Sequence, residues 1–184
     1  MKILIIALLT CSLPLLVSAQ TLIPIPDTLS GANINLTIAD STQQFFGGYN
    51  TNTIGYNGSY LGPTIILNKG QNVTMHVNNM LMDTTTTHWH GLHVAPMNDG
   101  SPHNPIMTGN TWSPSFTIMD NAATYWYHPH LHGKTMEQVV KGAVGLIIVR
   151  DAIESALTLN KCGCSNRFAC YNNANNSNNK HTLE

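Results

Sequence analysis

His88-Trp89-His90-Gly91 and His128-Pro129-His130 each carry two imidazoles separated by a single residue. In an extended strand successive side chains alternate faces, so each pair sends both rings to one side of its strand. Two such strands side by side would present four convergent nitrogens, which is a metal-ligand arrangement. Neutral imidazole suits copper, zinc, iron and nickel, so donor type alone leaves the metal open. Zinc sites are commonly closed tetrahedra that often include Cys, or three ligands plus water, and the zinc-protease pattern sets its histidines on a helix. Neither matches two strand-borne pairs. An isolated histidine among the nine in this chain is ordinarily a surface or hydrogen-bonded core residue; the paired spacing singles these four out. Trp89 and Pro129, between the ligands, face away from the metal side and are expected to pack, Trp89 into a core.

Short alternating or β-branched runs separated by Gly, Pro and Asn position these residues from Asn33 to Val149, the pattern of an all-β sandwich. The predicted strands are Asn33 to Ala39, Thr42 to Phe46, Thr64 to Leu67, Asn72 to Asn78, Thr86 to His90, Ser115 to Met119, Thr124 to His128 and Gly145 to Val149. Asn68-Lys69-Gly70-Gln71 is predicted as a hairpin turn, its glycine free to take positive φ. Thr135 to Lys141 has room for a helical turn, and Asn98-Asp99-Gly100-Ser101-Pro102 begins a long loop.

The first nineteen residues read as a signal peptide: Lys2, an apolar run from Ile3 to Leu16, and the small-residue cleavage site Val17-Ser18-Ala19 before Gln20. Cleavage before Cys11 as a lipoprotein is the competing reading, disfavoured because Thr10 is a poor residue there and the apolar run continues past Cys11. The run is too short for a membrane span. The expectation is export, to the periplasm or outside the cell. About 165 residues remain, enough for one domain with a real core. With net charge −1 and 9% charged residues, the chain has no basic patch for nucleic acid and no polybasic membrane anchor.

With the histidines in view, the sequence resembles the multicopper oxidases, more narrowly the bacterial cuprous oxidases, spore-coat oxidases and bilirubin oxidases. The likeness runs through Leu61-Gly62-Pro63-Thr64-Ile65, Lys69-Gly70, His88-Trp89-His90-Gly91-Leu92-His93 and Asp99-Gly100-Ser101-Pro102-His103. It continues through Thr124-Tyr125-Trp126-Tyr127-His128-Pro129-His130-Leu131-His132-Gly133-Lys134-Thr135, Gln138-Val139 and Gly142-Ala143-Val144-Gly145-Leu146-Ile147-Ile148-Val149. The resemblance implies a single cupredoxin-like Greek-key β-sandwich, the first of the family's usual three domains, over residues 20–155. It implies copper as the cofactor, with His88 a ligand of the type 2 copper and His90, His128 and His130 ligands of the type 3 pair, half of the trinuclear set. It also implies dioxygen and an electron donor as partners of the intact enzyme, together with further cupredoxin domains. Asp99 stands where the family often has an acidic residue suited to relaying protons; a plain loop-capping Asp is the alternative. Parity turns His93 away from His90, a structural position. His132 shares parity with His128 and His130, so strand geometry leaves it open, and the family pattern assigns it to packing beside the site. Met80 and Met82 carry soft thioethers that suit Cu(I), but filling gaps in the core or in loops is the simpler role.

The family takes electrons at a type 1 copper held by a Cys and two His. This chain contains no His-Cys-His motif and neither of the family's two other histidine motifs, so no oxidase activity is expected from it alone. Residues 156–184 change character, with Cys162-Gly163-Cys164, Cys170 and an Asn-rich tract from Asn172 to Asn179. A polar tract without apolar period predicts disorder, and a one-base frameshift or truncation accounts for the abrupt change; a thiolate metal site or redox pair is the alternative. Two functions compete. One is the N-terminal domain of an exported oxidase, represented by a fragment. The other is a stand-alone periplasmic module that sequesters or delivers copper. The electron donor is unreadable from these residues. Asn35-Leu36-Thr37, Asn57-Gly58-Ser59 and Asn72-Val73-Thr74 would be glycosylation acceptors only in a eukaryotic secretory route.

Overall fold

Period-two alternation builds two facing sheets. Along β2 (Asn33–Phe46), Ile34, Leu36 and Ile38 are buried, and along β5 (Asn72–Asn79) Val73, Met75 and Val77 are buried, so both strands turn one side to a common core. The structure, a computed structural model, describes residues 26–157. The segment read as a signal peptide, and the cysteines and Asn-rich tract of the tail, lie outside the described residues.

One sheet contains β1 (Thr28–Ser30) and β4 (Thr64–Asn68), followed in the chain by β6 (His88–His90), β9 (Ala123–His128) and β10 (Gly145–Arg150). Its spatial order is β1-β4-β10-β9-β6. The other runs β3 (Tyr49–Tyr56), β2, β5, β7 (Thr111–Trp112), with β8 (Ser115–Thr117) also paired to β5. Two short helices complete the fold: α1 (Thr135–Val140), and α2 (Ala152–Ala156), whose N-cap Asp151 accepts from the Glu154 amide. Ile65, Leu67, Ile147 and Val149 from the first sheet meet Ile34, Leu36, Ile38 and Met75 from the second in one core. This is a cupredoxin-like β-sandwich, as the sequence led us to expect.

Several boundaries differ from the sequence reading. The predicted strands at Asn33 to Ala39 and Thr42 to Phe46 are one strand, because Asp40 and Ser41 remain paired with Ile54 and Thr53 of β3. β3 itself was not predicted: its first half is Asn- and Thr-rich and exposed, a composition that resembles a loop, and pairing with β2 overrides that weak propensity. The turn at Asn68 to Gln71 exists, with Gly70 at φ +83° and Gln71 N–H donating to Asn68 O at 3.0 Å. It is not a hairpin. β4 is already flanked by β1 and β10, and β5 by β2 on one edge and β7 and β8 on the other, so the turn carries the chain from one sheet to the other. The strand predicted from Thr86 shrinks to His88–His90, and the one predicted over Ser115 to Met119 shrinks to Ser115–Thr117.

Candidate metal centre

Strands β6 and β9 run antiparallel with His88 opposite His128, Trp89 opposite Tyr127, and His90 opposite Trp126. Alternation then gives the ladder two different sides. Trp89 and Tyr127 are fully buried in the core, where the Trp89 indole N–H donates to Asn98 O at 2.9 Å and the Tyr127 hydroxyl donates to Pro63 O at 2.8 Å. The opposite side carries His88, His90, His128 and Trp126.

On that side the ligand atoms of His88, His90 and His128 all lie within 4.8 Å of one another, the one such grouping of three metal-ligating side chains among the described residues. His130 lies just past the end of β9, so strict strand parity does not govern it. It is exposed, its ring centroid 5.2 Å from that of His88 and 5.9 Å from that of His128. Its backbone is held instead by Thr86, whose hydroxyl oxygen accepts from His130 N–H at 2.6 Å. Nothing in the sequence reading pointed to Thr86; a run of four threonines directly before the first histidine pair was the available signal.

Hydrogen bonding fixes which nitrogen faces the centre. His88 Nδ1 lies 2.9 Å from Asp99 O, and His128 Nδ1 lies 2.8 Å from Pro129 O. A ring nitrogen facing a carbonyl must carry the proton, so each ring keeps Nε2 and its lone pair for a metal. His90 differs, presenting Nδ1 to His128 Nε2 at 3.1 Å. Burial pushes the His128 pKa down to about 4, against the opposing effect of the Pro129 carbonyl; the neighbouring His88, His90 and His130 push it down further. His128 is therefore neutral at neutral pH, the form a metal requires.

Asp99 sits on the far side of His88 from this cluster, its Oδ2 3.3 Å from His88 Nδ1. The loop that carries it is pressed against the site: Gly100 has φ +72°, and a Cβ there would collide with the carbonyl of Thr87. His93 is turned away from the cluster. Its Nδ1 lies 2.5 Å from Oδ1 of the buried Asp120, whose Oδ2 accepts from the His93 amide at 3.1 Å. His132 is exposed and outside the three-histidine group. Met80 and Met82 are exposed on either side of the buried Leu81.

Convergent imidazoles on paired strands of a cupredoxin-like sandwich define a copper-protein architecture, and known proteins agree. The family model described as multicopper oxidase matches residues 37–154. The chain belongs to the multicopper oxidase family. It is 43% identical over 108 residues to multicopper oxidase mco of Staphylococcus aureus, covering 59% of this chain and 24% of that protein. It is 35% identical over 155 residues to the cell division protein FtsP of Photorhabdus laumondii, covering 80% of this chain and 33% of that protein. Among solved structures, the laccase-like multi-copper oxidase CueO of Ochrobactrum sp. aligns with TM-score 0.69 at 38% identity, over 72% of this chain and 30% of that one. The multi-copper oxidase of Pediococcus acidilactici aligns with TM-score 0.70 at 35% identity, over 74% and 30%. The chain thus spans about a quarter to a third of the length of these relatives, and corresponds to the family's N-terminal cupredoxin-like region. Family membership implies copper, which the imidazoles alone left open. No helix among the described residues is long and apolar enough to cross a membrane.

Proposed function

We propose that this chain is the copper-ligating N-terminal domain of an exported multicopper oxidase, one that couples one-electron oxidation of a donor to reduction of dioxygen to water. His88 serves the type 2 copper, while His90, His128 and His130 serve the type 3 pair. The observation that carries this reading is the convergence of three imidazoles with ligand atoms within 4.8 Å of one another, two of them with Nδ1 held on backbone carbonyls. Bound copper supplies the one-electron chemistry that dioxygen reduction requires. The protein's own contribution is orientation: the Asp99 and Pro129 carbonyls set the tautomers of His88 and His128, and Thr86 holds the backbone of His130.

Reduction of one dioxygen to two waters consumes four electrons and four protons. Asp99, with a carboxylate oxygen 3.3 Å from His88 Nδ1, is our candidate for relaying those protons. In the intact enzyme, Asp99→Asn is expected to shift the pH profile of oxygen consumption; an unchanged profile removes Asp99 from the relay.

A second reading is a free-standing periplasmic module that sequesters or delivers copper. The exposure of His90 and His130, which leaves them open to exchange, favours it. Copper titration of the chain, with and without the remaining domains of a related oxidase, separates the two. Oxygen uptake restored by the added domains supports the oxidase, and tight stoichiometric binding by the monomer with no restored uptake supports the module. Under both readings His88→Ala is expected to weaken copper binding by at least about a hundred-fold, the upper end of what losing a mere ligand-orienting partner costs, with the melting temperature unchanged. A variant that binds copper as tightly as the parent chain would sink both.

A further inference from the structure

Three corners of the square formed on the outer side of the β6–β9 ladder are imidazoles, and the fourth is Trp126. The indole stacks on His128 with ring centroids 4.0 Å apart and planes at 25°, and on His90 at 4.8 Å and 36°. We propose that Trp126 is the positioning residue that holds the His90 ring, and secondarily the His128 ring, in metal-ready orientation. The proposal rests on the reading of these histidines as copper ligands.

The argument comes from what each ring has to hold it. His88 and His128 are each tied through Nδ1 to a backbone carbonyl. His90 has no such tie among the described residues. Its ring hydrogen bond among the described residues joins Nδ1 to His128 Nε2, the nitrogen that His128 keeps for a metal because its Nδ1 faces the Pro129 carbonyl. Metal binding would therefore consume the contact that orients His90 in the metal-free protein. The stack on Trp126 survives it, because ring faces are not ligand atoms. The platform is itself rigid: β9 lies between β6 and β10, with Trp126 in register with His90 on one neighbour and Leu146 on the other. Offset and tilted aromatic pairs of this kind are directional contacts that favour one ring orientation.

The test uses the full chain and Cu(II) alone as the probe, with Trp126→Leu and Trp126→Phe. Trp126→Phe, which keeps a stacking face, is expected to bind copper within about two-fold of the parent, and Trp126→Leu about three- to ten-fold more weakly, the range set by one lost aromatic contact. A second readout needs no metal. In the metal-free parent, nuclear Overhauser contacts should join the indole protons to the His90 and His128 ring protons, and in Trp126→Leu the His90 ring signals should move toward those of an unstructured histidine. Unchanged His90 signals and unchanged affinity in Trp126→Leu overturn the proposal. So does the absence of indole–imidazole contacts in the parent, a result independent of whether the leucine variant folds. If the parent itself binds no copper, the functional reading fails while the metal-free spectra still decide the role of Trp126.

Discussion

The two sides of the β6–β9 ladder share one register and meet opposite demands. Inside, Trp89 and Tyr127 are sealed in a core where each polar atom has a partner. Outside, three imidazoles converge and His90 stays exposed despite its contact with Trp126. Because β side chains alternate strictly, a register that buries Trp89 must also raise His88 and His90 together. Core packing and imidazole placement are thus set by a single register.

The strongest way to break this coupling is from within. Trp89→Ala should cost about 3–5 kcal/mol of stability and weaken copper binding too, although Trp89 is not a ligand. Denaturant unfolding alongside copper titration checks it, and full affinity in a destabilised variant would show that the two sides are independent. A somewhat smaller effect comes from the outer side through His128. Its folded pKa of about 4 lies below the unfolded value of 6.5, so the unfolded chain takes up the proton first as pH falls. The stability that this difference provides is complete above pH 6.5, declines toward pH 4 and levels off below it, on the order of 3 kcal/mol in all. His128→Gln should flatten that part of the metal-free stability curve, and parallel curves for the two proteins would contradict the assignment. Smallest is Thr86→Val, which removes the acceptor for His130 N–H at about 1 kcal/mol. It should loosen His130 while leaving the three-histidine group in place, visible as altered His130 ring signals beside unchanged signals from His88 and His128.

Much of this was legible in the sequence because alternation is local. The spacing in His88-Trp89-His90 placed two rings on one side and Trp89 in the core. The fold class followed from short β-branched runs. The missing parts depend on contacts between distant segments. β3 reads as a polar loop until β2 pairs with it, and no local pattern tells that Gly70 turns the chain between sheets instead of within one. The carbonyl ties at Asp99 and Pro129 depend on loop paths that periodicity does not encode. His130, beyond the strand end, escapes the parity rule that serves the other three. Trp126 was visible as a residue of the motif, but its role as a stacking surface emerges only from its register with His90.

One carbonyl has a double duty. Asp99 O accepts from the backbone N–H of Trp89 at 3.3 Å as well as from His88 Nδ1. β6 is three residues long and ends its sheet, and an uncovered border strand is a template for adding a foreign chain. The Asp99 loop works as a latch across that border. Strand addition at Trp89 is thereby closed off, while the imidazole-bearing side of the ladder is left open. Releasing the latch would expose the border and free the His88 ring in the same motion.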